Sequence, residues 1–492
     1  MRNDLAARTK EIALTFTTWP SVTGSVEEAA MAGRIADYLK GFDRVWTERI
    51  TNDSCGRSNV FGFKRGRSNK TIVLTGHFDV VSIDDYGALK NLAFDSIKLL
   101  PEIAAKLKLS GENALALADF ESGEYLPGRG LLDMKAGLAA GIAAAEFYQG
   151  DASLLFIGVA DEEERSAGAR AAAPFLQKFA KQENLEIKLV INLDAISDQG
   201  DGSAGRVITY GSIGKQLITA FVVGKQTHAG YPQDGVNAAY LAAELVTEFE
   251  LASDLSETTD GEVAAPPTAL YSKDLKEGYN VTTPAQAFIY WNTMQHRRSP
   301  ADVFKVAMEH AKRAVDRAKL RTGHEIDVIS YAELAAQSST KPKPQGPSLN
   351  LPEQTRLATI EMIRAIGLNK PTVIMGFGSI PYPAVLMQDQ HLRKVIEDAV
   401  APLGIGSVNY FAGISDMSFF GEASGDLSVV VANTPIWGTG FTIPEAAGYP
   451  CINLGPWGRD YHTWLERLHA PYAFEVLPRA LLAVIDAVFK SG

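Results

Sequence analysis

The hydrophobic and polar positions of the chain follow two different patterns, which predicts two kinds of domain. Four short, apolar, β-branched stretches have the pattern of buried strands, at residues 71–75, 154–160, 189–193 and 427–432. Helical periodicity lies between them, at 133–147 and 167–181. This alternation of strand and helix is typical of an α/β domain, whose sheet we expect to be doubly wound and mixed.

The middle of the chain predicts a smaller unit of another type. Residues 206–210 and 217–223 predict two strands joined by a glycine-containing turn, followed by a helix at 236–249, a strand at 287–292, a helix at 301–320 and a strand at 325–330. This order indicates an α+β, ferredoxin-like domain with its helices on one face of a sheet. Polar stretches at 253–267 and 337–352 predict a loop and a linker. We therefore expect an inserted domain over 206–335, which interrupts an α/β domain formed by 1–205 and 336–492.

Composition and charge narrow the classes of function. The chain has 492 residues and a formal net charge of −11, which argues against a nucleic-acid partner and gives no attraction to an anionic membrane. No apolar stretch is long enough to span a bilayer, and the first residues lack the apolar run of a signal peptide. Two distant cysteines, Cys55 and Cys451, match no metal or redox spacing and suit a reducing compartment, so we expect a cytoplasmic protein.

Candidate chemistry lies where three of the predicted strands end. The first strand runs into Gly76-His77-Phe78-Asp79, the second into Asp161-Glu162-Glu163-Glu164, and the third into Asp194. Ligands of open α/β sheets bind at the carboxyl ends of the strands, so these polar groups are expected to meet at one edge. The alternatives are a histidine in a surface loop and a solvated acidic loop.

Each of these groups has a chemical interpretation that suits a metal site. Asp79 lies two residues after His77, so it can orient the imidazole by accepting its second N–H, or it can bridge within the metal shell. Glu162 and Glu163 diverge at a strand end, so one can face a metal while the other faces a water. Asp133 can cap a helix or bind a metal.

Two histidines lie outside the predicted strands. His462 follows Gly455-Pro456-Trp457-Gly458-Arg459-Asp460-Tyr461, and Glu466 is expected on one helical face with it. His228 lies in Thr227-His228-Ala229-Gly230-Tyr231-Pro232, within the inserted domain, where an exposed loop residue is the plain alternative to a functional one.

Taken together, the motifs resemble a metallopeptidase family that holds aminoacylases, glutamate-type carboxypeptidases and succinyl-diaminopimelate desuccinylase. The matching segments occur in the family's order along nearly the whole chain. They are 76–81, 130–137, 161–163, Asp194, 228–232 leading to 235–238, 413–416 and 462–466. The length, the Asn-Leu-Asp run at 192–194, the Gly-Pro-Trp-Gly run at 455–458 and the long segment between Asp79 and Asp133 are similar to the arginine-utilisation (Roc-type) branch.

The resemblance implies a role for each matching position. Two divalent metal ions, zinc first with cobalt or manganese as alternatives, would be held by His77, Asp133, Glu163, Asp194 and His462, with Asp133 between them. Glu162 would be the general base and acid, and Asp79 would orient His77. The inserted domain would be a lid and dimerisation domain whose His228 reaches the neighbouring subunit's site. Asn237 and Arg298 are assigned to substrate binding.

The chain also departs from the family's usual pattern. Residues 164–167, Glu-Arg-Ser-Ala, follow the acidic pair where relatives commonly carry glycine, so a different loop shape is expected. Asp194 stands where some relatives carry glutamate, which favours an aminopeptidase- or deacylase-like member. The lid arginine that grips a substrate carboxylate has no clear counterpart, and Arg298 is assigned to that position.

The function implied is a two-metal amidohydrolase or peptidase. It would cleave an amide bond of a small N-acylated amino acid or short peptide, in arginine or amino-acid catabolism, as a cytoplasmic homodimer. The alternatives are a homodimer that binds metal without hydrolysis in amino-acid metabolism, and a plain α/β scaffold with solvated acidic loops. The presence of both Asp79 and Glu162 favours the enzyme, because these two positions serve chemistry rather than folding.

Overall fold

Helices and strands alternate along most of the chain. The computed structural model describes residues 2–343, 349–411, 413–423, 426–437 and 446–491. Its α-helices are α1 (Arg2–Thr17), α2 (Val26–Tyr38), α3 (Ser96–Ser110), α4 (Ala114–Ser122), α5 (Ala136–Phe147), α6 (Ala167–Gln182), α7 (Ala238–Phe249), α8 (Pro300–Thr322), α9 (Tyr331–Ala335), α10 (Leu351–Ile366), α11 (Gln390–Val400), α12 (Met417–Phe420), α13 (Ser428–Asn433) and α14 (Leu477–Ser491).

The strands form two large sheets and smaller pairings. They are β1 (Arg44–Arg49), β2 (Ser58–Lys64), β3 (Lys70–His77), β4 (Tyr125–Pro127), β5 (Ser153–Val159), β6 (Glu186–Asn192), β7 (Ile196–Ser197), β8 (Val207–Ser212), β9 (Gly214–Val223), β10 (Thr258–Thr259), β11 (Glu262–Val263), β12 (Thr268–Asp274), β13 (Gln286–Gln295), β14 (Asp327–Ser330), β15 (Thr372–Phe377), β16 (Val385–Leu386), β17 (Gly406–Phe411), β18 (Cys451–Asn453), β19 (Trp457–Arg459) and β20 (Arg467–His469).

The first large sheet positions the candidate chemistry. Its order is β1-β2-β5-β3-β6-β18-β8-β16, with β17 beside β8. Strands β5, β3, β6 and β18 run parallel, whereas β2 is antiparallel to β5 and β8 is antiparallel to β18. The predicted α/β class with a mixed sheet is therefore confirmed, and the three strands predicted to end in polar groups are β3, β5 and β6. A small sheet, β4-β20-β19-β7, accompanies it.

Helix α5 packs against the end of β6 more closely than most helices could. Ten consecutive residues of the helix, 136–145, are fully buried. A Cβ atom at Gly137 would overlap the carbonyl oxygen of Leu193, so only glycine fits there. This close approach brings the irregular turn Leu131–Lys135, which carries Asp133, to the end of β6.

The chain divides into two compact units. The first consists of Met1–Ser212, Val385–Ala423 and Pro444–Gly492, and the second of Ile213–Ala384 and Ser424–Ile443. The second unit contains a five-stranded sheet of order β12-β13-β9-β15-β14. One face of that sheet packs against α7 and α8 around Trp291, and the other face packs against α9 and α10 around Phe288. The helices thus cover both faces, not the single face that was predicted.

The second unit differs in extent from the predicted inserted range of 206–335. Strand β8 belongs to the first sheet, where it pairs with β16, β17 and β18, so the predicted pairing of 206–210 with 217–223 is wrong. Strand β9 pairs instead with β13 and β15, and both of its faces are buried. The predicted start of the third segment at 336 fails because β15 completes the second sheet, buried against β9 and β14.

The strand predicted at 427–432 is the helix α13. A short apolar run cannot be assigned to strand or helix from periodicity alone. The backbone N–H of Ser428 donates to the Asp426 carboxylate at 2.8 Å, which satisfies one of the donors that a helix leaves free at its start. Val430 then packs in the core of the second unit.

Two further predictions concern segments of low regularity. Residues 344–348 of the predicted linker lie outside the described residues. The predicted loop at 253–267 contains only the two-residue strands β10 and β11, paired antiparallel, and a short 3₁₀ turn. Within the described ranges, no helix combines the length and the apolar character needed to cross a bilayer.

Candidate metal centre

Three neighbouring parallel strands bring the predicted polar groups to one edge of the first sheet. His77 is the last residue of β3, and β3 pairs with β5 on one side and β6 on the other. Glu162 and Glu163 follow β5, and Asp194 follows β6. Because the strands are parallel and adjacent, their carboxyl ends meet, as the rule for open α/β sheets predicts.

Asp133 lies between two imidazoles. Its Oδ1 is 3.1 Å from Nε2 of His77, and its Oδ2 is 3.2 Å from Nε2 of His462. Asp194 Oδ1 is 3.6 Å from the His77 Nε2, and Glu163 Oε2 is 3.1 Å from the His462 Nε2. The five predicted ligands therefore form two groups, one at each imidazole, which share Asp133.

Asp79 contacts both His77 and the turn after β5. Nδ1 of His77 is 3.0 Å from the backbone carbonyl oxygen of Asp79 and 3.6 Å from its Oδ1. The Asp79 carboxylate accepts the backbone N–H groups of Glu162 and Glu163 at 3.0 and 3.2 Å, and the hydroxyl of Thr23 at 2.9 Å. Asp79 thus faces the imidazole mainly through its backbone, while its carboxylate fixes the turn that carries the two glutamates.

Glu162 lies beside the imidazole of His77, with 11% of its side chain exposed. Its Oε2 lies 3.9 Å from the His77 Nε2. Burial, together with the charges of Asp416, Asp194 and Glu163, raises the pKa of Glu162 well above its ordinary value, and His77 opposes the shift. A carboxylate with a raised pKa at this position suits a group that must both accept and donate a proton near neutral pH.

A buried arginine, Arg57, also holds the turn after β5. Arg57 Nη1 donates to Oδ1 of Asp161, and the same guanidinium binds Asp53 and Glu28. Asp161 has a left-handed backbone conformation with φ 68°, and its second carboxylate oxygen accepts the N–H of Ala167 at 3.2 Å. The departure from glycine at 164–167 is therefore accommodated by side-chain contacts that fix this loop.

The buried charges at the site are predominantly negative. The carboxylates of Asp79, Glu162 and Asp416 join those of the predicted ligands around two imidazoles. Burial raises the pKa of Asp416 to about 7, and a hydrogen bond with the Ser166 side chain opposes the shift. Such an excess of buried carboxylate is costly unless a cation compensates it.

The donor set fits divalent metal ions. Ligand atoms of His77, Asp133 and Glu163 all lie within 4.8 Å of one another. Imidazole nitrogen and carboxylate oxygen are ligands of zinc and also of cobalt and manganese. The shared position of Asp133, between two imidazoles, is consistent with positive charge at this point.

Metal-free protein is expected to lose stability as the pH rises. Burial would lower the pKa of His462, but hydrogen bonds to Asp133 and Glu163 raise it from 6.5 to about 10. The protonated His462 imidazole therefore contributes its full stabilisation of the folded state below pH 6.5. This contribution is lost as the pH approaches 10. Burial also raises the pKa of Asp194 and Glu163, which acts in the same direction.

This pH dependence can be measured by thermal unfolding of chelator-treated and metal-loaded protein between about pH 6 and about pH 10. The melting temperature of the chelated sample should fall steeply over this interval, because its folded state holds protons that the unfolded chain releases. The metal-loaded sample should show a flatter profile, since bound cations replace those protons. If the melting temperature fell equally with pH in both samples, the result would contradict the assignment of these residues as metal ligands.

The other predicted residues belong to the second unit. His228 is exposed, and its Nδ1 accepts the N–H of Gly230 at 3.0 Å. Asn237 caps α7 by accepting the N–H of Ala239 at 3.0 Å. Nη1 of Arg298 donates to the backbone carbonyl of Asp254 at 2.6 Å. These contacts leave their proposed roles as predictions.

Two residues near the centre have roles that the sequence analysis missed. Glu466 does not share a helical face with His462, because residues 461–465 form turns. Its carboxylate instead accepts hydrogen bonds from Nη1 of Arg129 and from the backbone N–H of Gly130, both at 2.9 Å. These contacts hold the turn that precedes Asp133. Asp416 entered the sequence analysis only within the motif 413–416, and its polar position after the extended run 406–411 is the signal that could have found it.

Comparison with known proteins finds a family that matches much of the chain and relatives that match nearly all of it. A sequence profile of peptidase family M20/M25/M40 matches residues 107–440. The chain is 30% identical to the uncharacterized protein YqjN of Bacillus subtilis (strain 168), over 96% of this chain and 95% of that protein. It is 28% identical to protein RocB of the same organism, over 96% and 93%. The solved structure of Bacillus subtilis YXEP, a dinuclear metal binding peptidase, covers 99% of both chains with a TM-score of 0.54 and 13% identity.

Proposed function

Because the chain belongs to peptidase family M20/M25/M40 and is a metal-dependent hydrolase, we propose that it uses two metal ions to cleave an amide bond of a small N-acylated amino acid or short peptide. This proposal rests on the position of Asp133. Its two carboxylate oxygens lie 3.1 and 3.2 Å from the Nε2 atoms of His77 and His462, one oxygen beside each imidazole. A carboxylate shared in this way is the arrangement expected of a two-metal site.

The ligands divide between the two positions. His77 and Asp194 would hold one ion, His462 and Glu163 the other, and Asp133 would contribute to both. Zinc is the first candidate and cobalt or manganese are alternatives, because all three accept nitrogen and oxygen ligands. When bound, divalent cations polarise an amide carbonyl and make water a stronger acid.

The protein's own groups supply the proton transfers and the positioning. Glu162 accepts the proton of the attacking water as its oxygen bonds to the amide carbon. It then delivers that proton to the nitrogen of the leaving amine as the C–N bond breaks. Asp79 holds the backbone of Glu162 and so fixes where its carboxylate can reach.

The remaining parts of the proposal concern the second unit and the cell. We assign the second unit to a lid and dimerisation role, with His228 acting at the neighbouring subunit's site and Asn237 and Arg298 in substrate binding. Similarity to RocB along nearly the full length supports the arginine-utilisation branch. We place the protein in the cytoplasm, where the two free thiols, Cys55 and Cys451, stay reduced.

A substrate screen with metal analysis tests the function. Purified protein loaded with zinc, cobalt or manganese is assayed on a panel of N-acetyl and N-succinyl amino acids, including those of arginine and ornithine, and on di- and tripeptides. Two ions per chain and turnover of at least one class of substrate are expected. Two bound ions without cleavage of any amide would instead favour a binding protein without hydrolytic activity.

A further inference from the structure

The metal-ligand candidate His462 lies in a hairpin loop with an unusual backbone. Strands β19 and β20 pair antiparallel, and residues 460–466 connect them. Asp460 and His462 have positive φ angles of 53° and 64°, a conformation that residues other than glycine rarely adopt. The loop must therefore be held in shape by contacts around it.

Two buried arginines face each other at the base of this loop. Arg459 ends β19 and Arg467 begins β20, and the strand register places them directly opposite. Their side chains are 8% and 0% exposed. Like charges that meet across a strand pair repel, and burial increases the cost, so the base of the hairpin requires an anion.

Asp119 supplies that anion from a distant part of the chain. Nη1 of Arg459 donates hydrogen bonds to both carboxylate oxygens of Asp119, at 2.8 and 2.7 Å. The Oδ2 atom also accepts a hydrogen bond from Nε of Arg467 at 2.7 Å. Nη1 of Arg467 in turn donates to the carboxylate of Asp460 within the loop. Asp119 lies in α4, inside the long segment between Asp79 and Asp133.

We propose that Asp119 is a positioning residue for His462, and that helix α4 braces the half of the metal centre formed by His462 and Glu163. This inference rests on the proposed two-metal function. Loss of the Asp119 charge leaves two buried guanidinium groups in repulsion at the base of the hairpin, so the loop relaxes and His462 moves. His77 and Asp194 are carried by other strands and keep their places.

Metal titration of chelator-treated protein tests the proposal without any assay of activity. Zinc is titrated by calorimetry into wild-type protein and into Asp119→Asn. The variant should bind the first ion normally and the second about 10- to 100-fold more weakly, the usual effect of losing a group that orients a ligand. Asp151→Asn is the matched control, since it removes an aspartate from an exposed pair with Arg67 and should change neither constant.

The possible outcomes separate this proposal from the function on which it rests. Wild-type protein that binds fewer than two ions would overturn the two-metal function and this proposal with it. Two tight ions in both wild type and Asp119→Asn, or equal weakening of both ions, would overturn this proposal alone. If Asp119→Asn does not fold, Asp119→Glu carries the test. It keeps the charge but shifts the hydrogen bonds, so the second ion should bind more weakly than in wild type while the first binds normally, and wild-type affinity for both ions would contradict the proposal.

Discussion

Replacing Glu162 with glutamine is expected to reduce turnover by at least about 10²- to 10⁴-fold while two metal ions stay bound. The amide has nearly the shape of the carboxylate but cannot accept the proton of the attacking water. Glu162 is not among the predicted ligands, and its backbone N–H would still be held by Asp79. The metal-binding part of the centre should therefore survive the change.

Steady-state kinetics and metal analysis of the same preparation measure this effect. Glu164→Gln is the matched control, because Glu164 is two residues further along, half-exposed and paired with Arg165. That variant should keep wild-type kcat and KM. An active Glu162→Gln enzyme would remove Glu162 from the proton transfers, and an inactive one that had lost its metal would make it a ligand.

Asp133→Ala is expected to remove both metal ions, with affinity losses of at least about 100-fold at each position. Asp133 is the one predicted ligand that contacts both imidazoles, so neither group of ligands is complete without it. Asp194→Ala should weaken only the ion beside His77, because the Asp194 carboxylate lies next to that imidazole. Activity should be lost in both variants.

The contrast between the two variants is the informative result. Metal content after dialysis should approach zero ions per chain for Asp133→Ala and one for Asp194→Ala. Thermal unfolding with and without added zinc checks that each variant folds. Retention of two ions by Asp133→Ala would show that the aspartate is not shared between the positions.

The meeting of polar groups at the candidate metal centre was the most predictable part of the molecule, and the reason is local. Three buried strands with β-branched residues each ended in a polar group, and parallel strands deliver such groups to one edge. His77, Glu163 and Asp194 could therefore be placed together from the sequence. His462 could be added only through the family resemblance, because no periodic pattern connects it to the strands.

The errors arose where long-range contacts override local pattern. Residues 206–223 look like a hairpin, yet β8 and β9 lie in different sheets, since each finds partners far away in the chain. Glu466 has helical spacing from His462, but its carboxylate is held by Arg129. The brace formed by Asp119 could not be predicted, because a buried carboxylate in a helix shows its partners only in the folded chain.

The position of β18 affects when the first sheet can be completed during synthesis of the chain. This strand lies between β6 and β8 in the first sheet, although it follows both of them in the sequence only after all the strands of the second unit. Until it leaves the ribosome, the edge of β6 remains unpaired and open to association with other strands. His462 follows β18 in the sequence, so the unfinished chain also lacks one ligand of the second metal position that we propose. A nascent chain that has not yet reached β18 therefore exposes the edge of β6 and lacks His462, so the hydrolytic activity that we propose can begin only after this part of the chain is made.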